Sequence, residues 1–580
     1  MKRLIKDPVM LIIFSNYLTA VAREMGVAMM ETAYSSVFNE AMDFSCGVFD
    51  NKLEMLAQGE FCPSMMGSIH FAAKWIVNEY GIESFGPRDV YLHNDPYRGM
   101  CHLPEHMVIK GVYYKNEIVG FVACIGHMTE IGGSAPGGFP GDVTDIFQEG
   151  LRIPPVKLVK NGKEVDEVWK IIEANVRTPR ANIGDLRAMI GSLHIGEKRI
   201  IELLDKYGLA TFKEITSELK DYQEHRMREL IKSIPNGIYS VDEYVMDNDG
   251  ISDDPVKVKV KVNVSNDKIV VDFTGSDPQR DGPINCTFAA TASAVYNSIL
   301  QISDLNISAN AGCYKPIEII APIGTVVNVS YPGACVGGNS EMHAKLVFLI
   351  LKALTPVIPE RVAASDIGTS ALISYGGHNP ETDEFYSNLL IESGGWGGRI
   401  SGDGNNAVTV PNSNCRITQV EILETRYPLI HHKFALNTGS GGAGKFRGGL
   451  GTVREICLLA PKTRISAFVE REKIKPWGLL VGKEGKNSGF FVKRKGDSVY
   501  RTFGETFGTV CNAKFSNINL VAGDCVKVVT GGGGGYGDPI ERSIDSIKED
   551  LDEEYYSVQE LEIDYPQFKQ SELIVFEGNR

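Results

Sequence analysis

Histidine is scarce in this sequence, eleven in 580 residues, yet His93, His102, His106 and His127 fall in one short stretch with Asp95, Glu105 and Glu130. Imidazoles and carboxylates gathered at one point suit a divalent transition metal such as Mn, Zn or Fe, with positions left open for water or substrate. The run His102-Leu103-Pro104-Glu105-His106 matches the inverted zinc-protease pattern H-x-x-E-H, which needs a helix to place its histidines one turn apart. Pro104 opposes that helix, and Met107-Val108-Ile109 leads into a strand. A different grouping follows. His102 and Glu105 stand at the entrance of one strand and His127 at the end of the next, the two joined as a hairpin near Lys115-Asn116-Glu117. A metal held there would activate water or polarise a carbonyl oxygen. The same spacing also fits histidines that only satisfy polar demands in a loop-rich core.

The remaining motifs are weaker. Gly439-Ser440-Gly441-Gly442-Ala443-Gly444-Lys445 follows the phosphate-binding P-loop, but Phe446 stands where a hydroxyl should bind magnesium. Arg447-Gly448-Gly449-Leu450-Gly451 is no helix start, so the segment reads as a tight structural turn. The glycines from Gly531 to Gly535 could offer amides to an anion or let chain pack on chain. No Ser-His-Asp or Cys-His pattern announces a nucleophile. Cys101, beside His102, reads as a buried structural thiol.

The elements that must position these groups are legible from periodicity. Asp7 and Pro8 open a helix running to about Tyr34, with apolar Leu11, Phe14, Leu18, Val21 and Met25 on one face. A second helix is predicted from Met66 to about Tyr80, with strands at Val90-Leu92, Met107-Tyr114 and Ile118-Ile125. Long amphipathic helices follow over Asp185–Leu230, up to the turn Pro235-Asn236-Gly237. Alternation then takes over in Val256-Lys257-Val258-Lys259-Val260-Lys261-Val262 and Lys268-Ile269-Val270-Val271. Helices return at Ala289–Ile302 and His343–Leu354, and Glu421–Val529 reads as strands between glycine-rich turns. The expected class is α+β, multi-subdomain, with mixed helices and antiparallel sheets and a β-rich C-terminal part. The expected divisions are an N-terminal metal-site region over 1–235, a middle α+β region over 236–420, a glycine-rich β region over 421–540 and an acidic, helical tail over 541–580.

Bulk properties exclude several classes. A chain this long supports about three or four domains. No apolar run approaches the roughly 20 residues of a membrane span. A net charge of -14 with scattered basic residues disfavours a nucleic-acid partner. Eleven dispersed cysteines without a C-x-x-C pair point to reduced thiols and a cytoplasmic setting. Lys2, Arg3 and Lys6 before Val9–Phe14 imitate a secretory signal, but the apolar run is too short.

Many of these segments resemble the hydantoinase B/oxoprolinase family. The resemblance runs through Thr32-Ala33-Tyr34-Ser35, Asp43-Phe44-Ser45, Asn94-Asp95-Pro96-Tyr97-Arg98-Gly99, His102-Leu103-Pro104 and Ile146-Phe147-Gln148-Glu149-Gly150-Leu151-Arg152. It continues in Ala174-Asn175-Val176-Arg177, Asp272-Phe273-Thr274-Gly275, Glu424-Thr425-Arg426-Tyr427-Pro428 and Gly534-Gly535-Tyr536-Gly537-Asp538-Pro539. The resemblance implies the metal-binding subunit of an ATP-dependent enzyme opening hydantoins, 5-oxoproline or other lactams, with ATP-Mg on a hydantoinase A-like partner in a hetero-oligomer. Related subunits serve acetone and acetophenone carboxylases, so a ketone carboxylase is the alternative; a scaffold subunit with a structural metal and a standalone metallohydrolase are others. The metal ligands implied are His102, Glu105 and His127, with Glu130 and Asp95 as candidate bases or orienters of a ligand histidine. Glu105 and Glu130 stand where the family usually has Asp, and Met65 where it usually has His.

Overall fold

The computed structural model describes residues 7–303 and 307–568; Lys2, Arg3 and Lys6 of the signal-like start lie outside them. The first sheet comprises β1 (Phe44–Asp50), β2 (Met55–Gln58), β3 (Val90–His93), β4 (Glu105–Tyr114), β5 (Glu117–His127), β6 (Val156–Lys160) and β7 (Lys163–Glu164). Their order is β2-β1-β5-β4-β3-β6-β7, with every pairing antiparallel. Both faces are covered, which explains why β4 and β5 are apolar without alternating in polarity. Val108, Val112, Val122 and Cys124 pack under the helices Pro8–Thr32 and Pro179–Tyr207. Met107, Ile109, Phe121, Ala123 and Ile125 pack under the helix Pro63–Tyr80. The first helix begins as expected: Asp7 accepts from the amides of Val9 and Met10, both at 3.1 Å, with Pro8 in the first turn. Its predicted stripe of Leu11, Phe14, Leu18, Val21 and Met25 is buried.

The second sheet is β8 (Gly237–Met246), β9 (Val256–Ser265), β10 (Lys268–Asp272) and β11 (Ile317–Ile320), in order β11-β10-β9-β8. The alternating valines of β9 all point into the core shared with the helices Phe288–Gln301 and His343–Leu354. Two further sheets fill the C-terminal part. One joins β12 (Leu372–His378) and β13 (Phe385–Leu390) to β16 (Thr463–Phe468) and β19 (Lys514–Leu520). The other has the order β14 (Leu429–Leu436), β15 (Thr452–Leu458), β20 (Cys525–Val529), β17 (Gly489–Lys493) and β18 (Arg501–Thr502). The class is therefore α+β as expected. The stretch read as strands from Glu421 opens instead on a short helix, Val420–Arg426, where Glu and Leu are better helix than strand formers. Among the described residues no helix is long and apolar enough to cross a membrane.

One expectation about cysteine is corrected. Nine cysteines are free and buried, but Cys457 and Cys525 are joined as a disulfide. They are 68 residues apart in sequence, and only the β15–β20 register makes them neighbours.

The glycine-rich segments form a junction of backbones. Gly533, Gly534 and Gly535 donate to the carbonyls of Gly449, Ser365 and Lys483 at 3.0, 2.8 and 2.8 Å, so these amides are spent within the chain. A Cβ on Gly533 would lie 2.1 Å from the Trp396 carbonyl oxygen, and one on Gly534 2.0 Å from that of Trp477. The P-loop-like turn belongs to the same junction: Gly442 donates to Gly533 at 2.8 Å, and Lys445 pairs with Glu541 at 3.1 Å. The acidic C-terminal segment packs over it through the helices Ile544–Asp552 and Val558–Asp564, burying Tyr556 and Tyr565. Asp550 meets Arg447 and Arg542, each at 2.7 Å.

Gly533→Ala is therefore expected to destabilise the chain by about 1–3 kcal/mol or more through overpacking. Gly191→Ala, on an open face of the helix Pro179–Tyr207 with nothing within 4 Å, should stabilise it by up to about 1 kcal/mol. Thermal unfolding of both variants beside the parent chain checks the contrast.

Candidate metal centre

The β4–β5 register places Glu105 directly opposite His127. The hairpin turns at Lys115 and Asn116, both with positive φ, as the sequence predicts. His102 precedes β4 in a turn, so the H-x-x-E-H run is not helical. Beside His102 and His127 lies a small cavity of about 30 Å³, room for an ion or a single water. Asp43, Met65, His102, His127, Phe139 and Asn339 are among its lining residues, and Leu372, Leu389 and Ile391 form an apolar wall.

Each histidine is oriented from behind. Nδ1 of His102 lies 2.9 Å from the Val336 carbonyl oxygen. A carbonyl only accepts, so Nδ1 carries the proton and Nε2 faces Glu105 Oε1 at 3.4 Å. Val336 is itself held by Glu149, whose Oε1 accepts from the amides of Cys335 and Val336 at 2.5 and 2.8 Å. Burial, against those two amides, pushes the Glu149 carboxyl up to about 8. His127 Nδ1 faces Asp43 Oδ2 at 3.8 Å, and its ring stacks on Phe139 with centroids 5.2 Å apart. His102 and His127 have ring centroids 5.2 Å apart.

The electrostatics separate these two rings. Burial works against the charged form of His102, but Glu105 and the Val336 carbonyl outweigh it and raise its pKa. Burial, then His102 and His106, holds His127 well below the usual imidazole range. Asp43 is pushed up to about 6 by burial and then by Glu105.

The donor set fits a cation. His127 Nε2, Glu105 Oε2 and Asn339 Oδ1 are buried without a hydrogen-bond partner, an arrangement that costs free energy unless something binds there. The atoms of His102, Glu105 and His127 are nonetheless looser than a closed coordination sphere. Among the described residues the only trio of His, Cys, Asp or Glu with all ligand atoms within 4.8 Å of one another is His432, Cys457 and Cys525.

The other candidate residues have their own partners. Asp95 caps the turn Pro96–Arg98 through the Tyr97 amide at 3.0 Å and pairs with Arg98 at 2.8 Å. Glu130 accepts from Arg177 at 2.9 Å and from the amides of Gly132 and Gly137 at 2.5 and 3.3 Å. His93 and His106 are core histidines bonded to the Ala72 and Pro104 carbonyls, and burial lowers their pKa to about 3 and about 4. Cys101 is buried against the Ser64 carbonyl, and burial raises its thiol well above the ordinary range. Met65 lines the cavity.

Sequence reasoning missed Asn339, which donates to Glu105 Oε1 at 2.7 Å from a π-helical turn, Gly338–Met342, that opens the helix His343–Leu354. It also gave no role to Asp43, although the Asp43-Phe44-Ser45 segment carries part of the family resemblance. For Asn339 no local spacing pointed to the site, because the residue lies 234 positions from Glu105.

Comparison with known proteins agrees with this architecture. An uncharacterised protein of Methanocaldococcus jannaschii is 34% identical over 96% of this chain and 96% of its own length. Caprolactamase subunit beta of Pseudomonas jessenii is 31% identical over 99% of this chain and 97% of its own length. The crystal structure of the ATP-dependent caprolactamase from the same organism superposes with a TM-score of 0.86 at 30% identity, covering 96% of each chain. A nucleotide-free acetone carboxylase structure shares the fold, with a TM-score of 0.86 at 18% identity over 97% of this chain and 79% of that one. The hydantoinase B/oxoprolinase family model matches residues 7–539. With that match and these relatives spanning nearly its whole length, the chain belongs to the hydantoinase B/oxoprolinase family.

Proposed function

We propose that this chain is the metal-binding subunit of an ATP-dependent enzyme that opens a cyclic amide, working with a hydantoinase A-like subunit that handles ATP-Mg. The observation that carries the reading is a small cavity lined by His102, His127 and Asn339, with Glu105 beside His102 and buried, unpartnered atoms on His127, Glu105 and Asn339. Near full-length similarity to a caprolactamase subunit supports the substrate class. The assignment of ATP to a partner rests on the P-loop-like turn, whose amides and Lys445 are already engaged within the chain.

In this reading Nε2 of His102, Glu105 Oε2 and Nε2 of His127 hold a divalent cation such as Mn, Zn or Fe. When bound, the cation supplies Lewis-acid polarisation of a carbonyl oxygen. Val336 and Asp43 fix the ring orientations, the second-tier contacts that tune ligand basicity. Asn339 holds one oxygen of Glu105 and leaves the other for the cation. Leu372, Leu389 and Ile391 keep bulk water out. Asp43 is the carboxylate facing the cavity and is the group placed to hold a proton there. Glu130 and Asp95 act as positioning residues, Glu130 by bracing the loop after His127 and Asp95 by capping the turn ahead of His102.

His102→Ala should lower both metal content and turnover by more than the roughly 10–100-fold typical of outer contacts, while the complex still co-purifies. Asn339→Ala should weaken metal affinity within that 10–100-fold range, read by metal analysis and competition with a chelator. An ATPase screen of the co-purified complex over hydantoins, 5-oxoproline, larger lactams and ketones, with and without bicarbonate, tests the substrate class. Bicarbonate-independent ring opening is expected; turnover only with a ketone plus bicarbonate would replace this reading with a carboxylase.

A further inference from the structure

Cys457 and Cys525 are directly opposed on β15 and β20. On the other side of β15, β14 pairs Ile430 with Cys457 and His431 with Ile456, then skips to Lys433 opposite Glu455. The residue left over is His432. An extra residue in one antiparallel strand re-aims its side chain, and here it brings His432 Nδ1 to 3.5 Å from Cys457 Sγ. The two cysteines are buried while His432 is exposed, so the cluster opens to solvent on the imidazole side. It lies on the five-stranded sheet, apart from the cavity lined by His102 and His127.

We propose that His432, Cys457 and Cys525 form a redox-gated site for a thiophilic cation of the Zn²⁺ class. In the oxidised form the two sulfurs are bonded to each other and cannot serve as thiolate ligands. An external dithiol opens the site by thiol–disulfide exchange. The Cys457–Cys525 bond breaks, the reductant's two S–H groups supply two electrons and two protons, and the reductant leaves as its own disulfide. The cation then displaces both thiol protons and takes two thiolates and the His432 imidazole, since metal ligands must be deprotonated. Zinc–sulfur bonds of about 2.3 Å set the sulfurs roughly 3.8 Å apart in a tetrahedral site, a spacing that opposed cysteines reach by side-chain rotation. The fourth position faces solvent. Bound in this way, the cation clips the exposed edge strand β14 to β15 and β20.

The test uses the full chain, reduced with a phosphine, freed of reductant under inert gas and titrated with Co²⁺ and then Zn²⁺. A thiolate-to-cobalt charge-transfer band that saturates at one equivalent and is displaced by Zn²⁺ is expected in the reduced protein and absent from the oxidised one. Cys525→Ser should remove the band. His432→Ala, an exposed substitution that leaves the core untouched, should weaken cobalt affinity at least about tenfold. Circular dichroism shows whether each variant is folded. A reduced chain without the band, a band that survives in folded Cys525→Ser, or unchanged affinity in His432→Ala would each overturn the proposal.

Discussion

The hairpin of β4 and β5 holds the centre of the first sheet, and its register sets which side chains reach the cavity. Because successive side chains on a strand alternate between faces, a slip of one residue would turn Glu105 and His127 away and drive Val108 and Val122 into the wrong layer. Helices on both faces prevent this. Val108 and Val122 are locked under the helices Pro8–Thr32 and Pro179–Tyr207, and Ile109 and Phe121 under the helix Pro63–Tyr80. The alignment of two polar residues is thus enforced by apolar packing several residues away.

A second tier of polar contacts fixes the side chains that this alignment brings together. Glu149 fixes the backbone at Val336, Val336 fixes the His102 tautomer, and Asn339 takes one oxygen of Glu105. These groups come from three separate stretches of chain, so the cavity forms only when the first sheet, the short helix Ile146–Glu149 and the helix beginning at His343 have docked. Such long-range assembly makes the centre a property of the whole fold and leaves no short segment able to bind a cation by itself.

Much of this was legible in the sequence. Opposed strands, one beginning at Glu105 and the other ending at His127, followed from two apolar runs and a turn at Lys115-Asn116, and Pro104 correctly excluded a helix there. The first helix was readable from Asp7 and Pro8, and β9 from its alternating valines. Other features depend on contacts with no local signature. His93, His102 and His106 look alike in sequence and each bonds a backbone carbonyl, but of the three it is His102 that turns its other ring nitrogen toward Glu105. The Cys457–Cys525 pair requires the β15–β20 register, and His432 requires a bulge that no turn residue announces. The partners of Asp95 and Glu130 are arginines and backbone amides, which spacing along the chain does not reveal.

The backbone junction around Gly533 has an evolutionary consequence. Where strands of chain touch through bare peptide groups, selection has no graded series of side chains to sample, since even a methyl group meets a carbonyl oxygen near 2 Å. Compensating changes are equally scarce, because the neighbours Gly441, Gly449 and Gly478 are confined in the same way. Side-chain variation is sterically open at the surfaces, as at Gly191, where a Cβ meets nothing within 4 Å. The joint that holds the C-terminal part together is thus the place where the chain tolerates the least change.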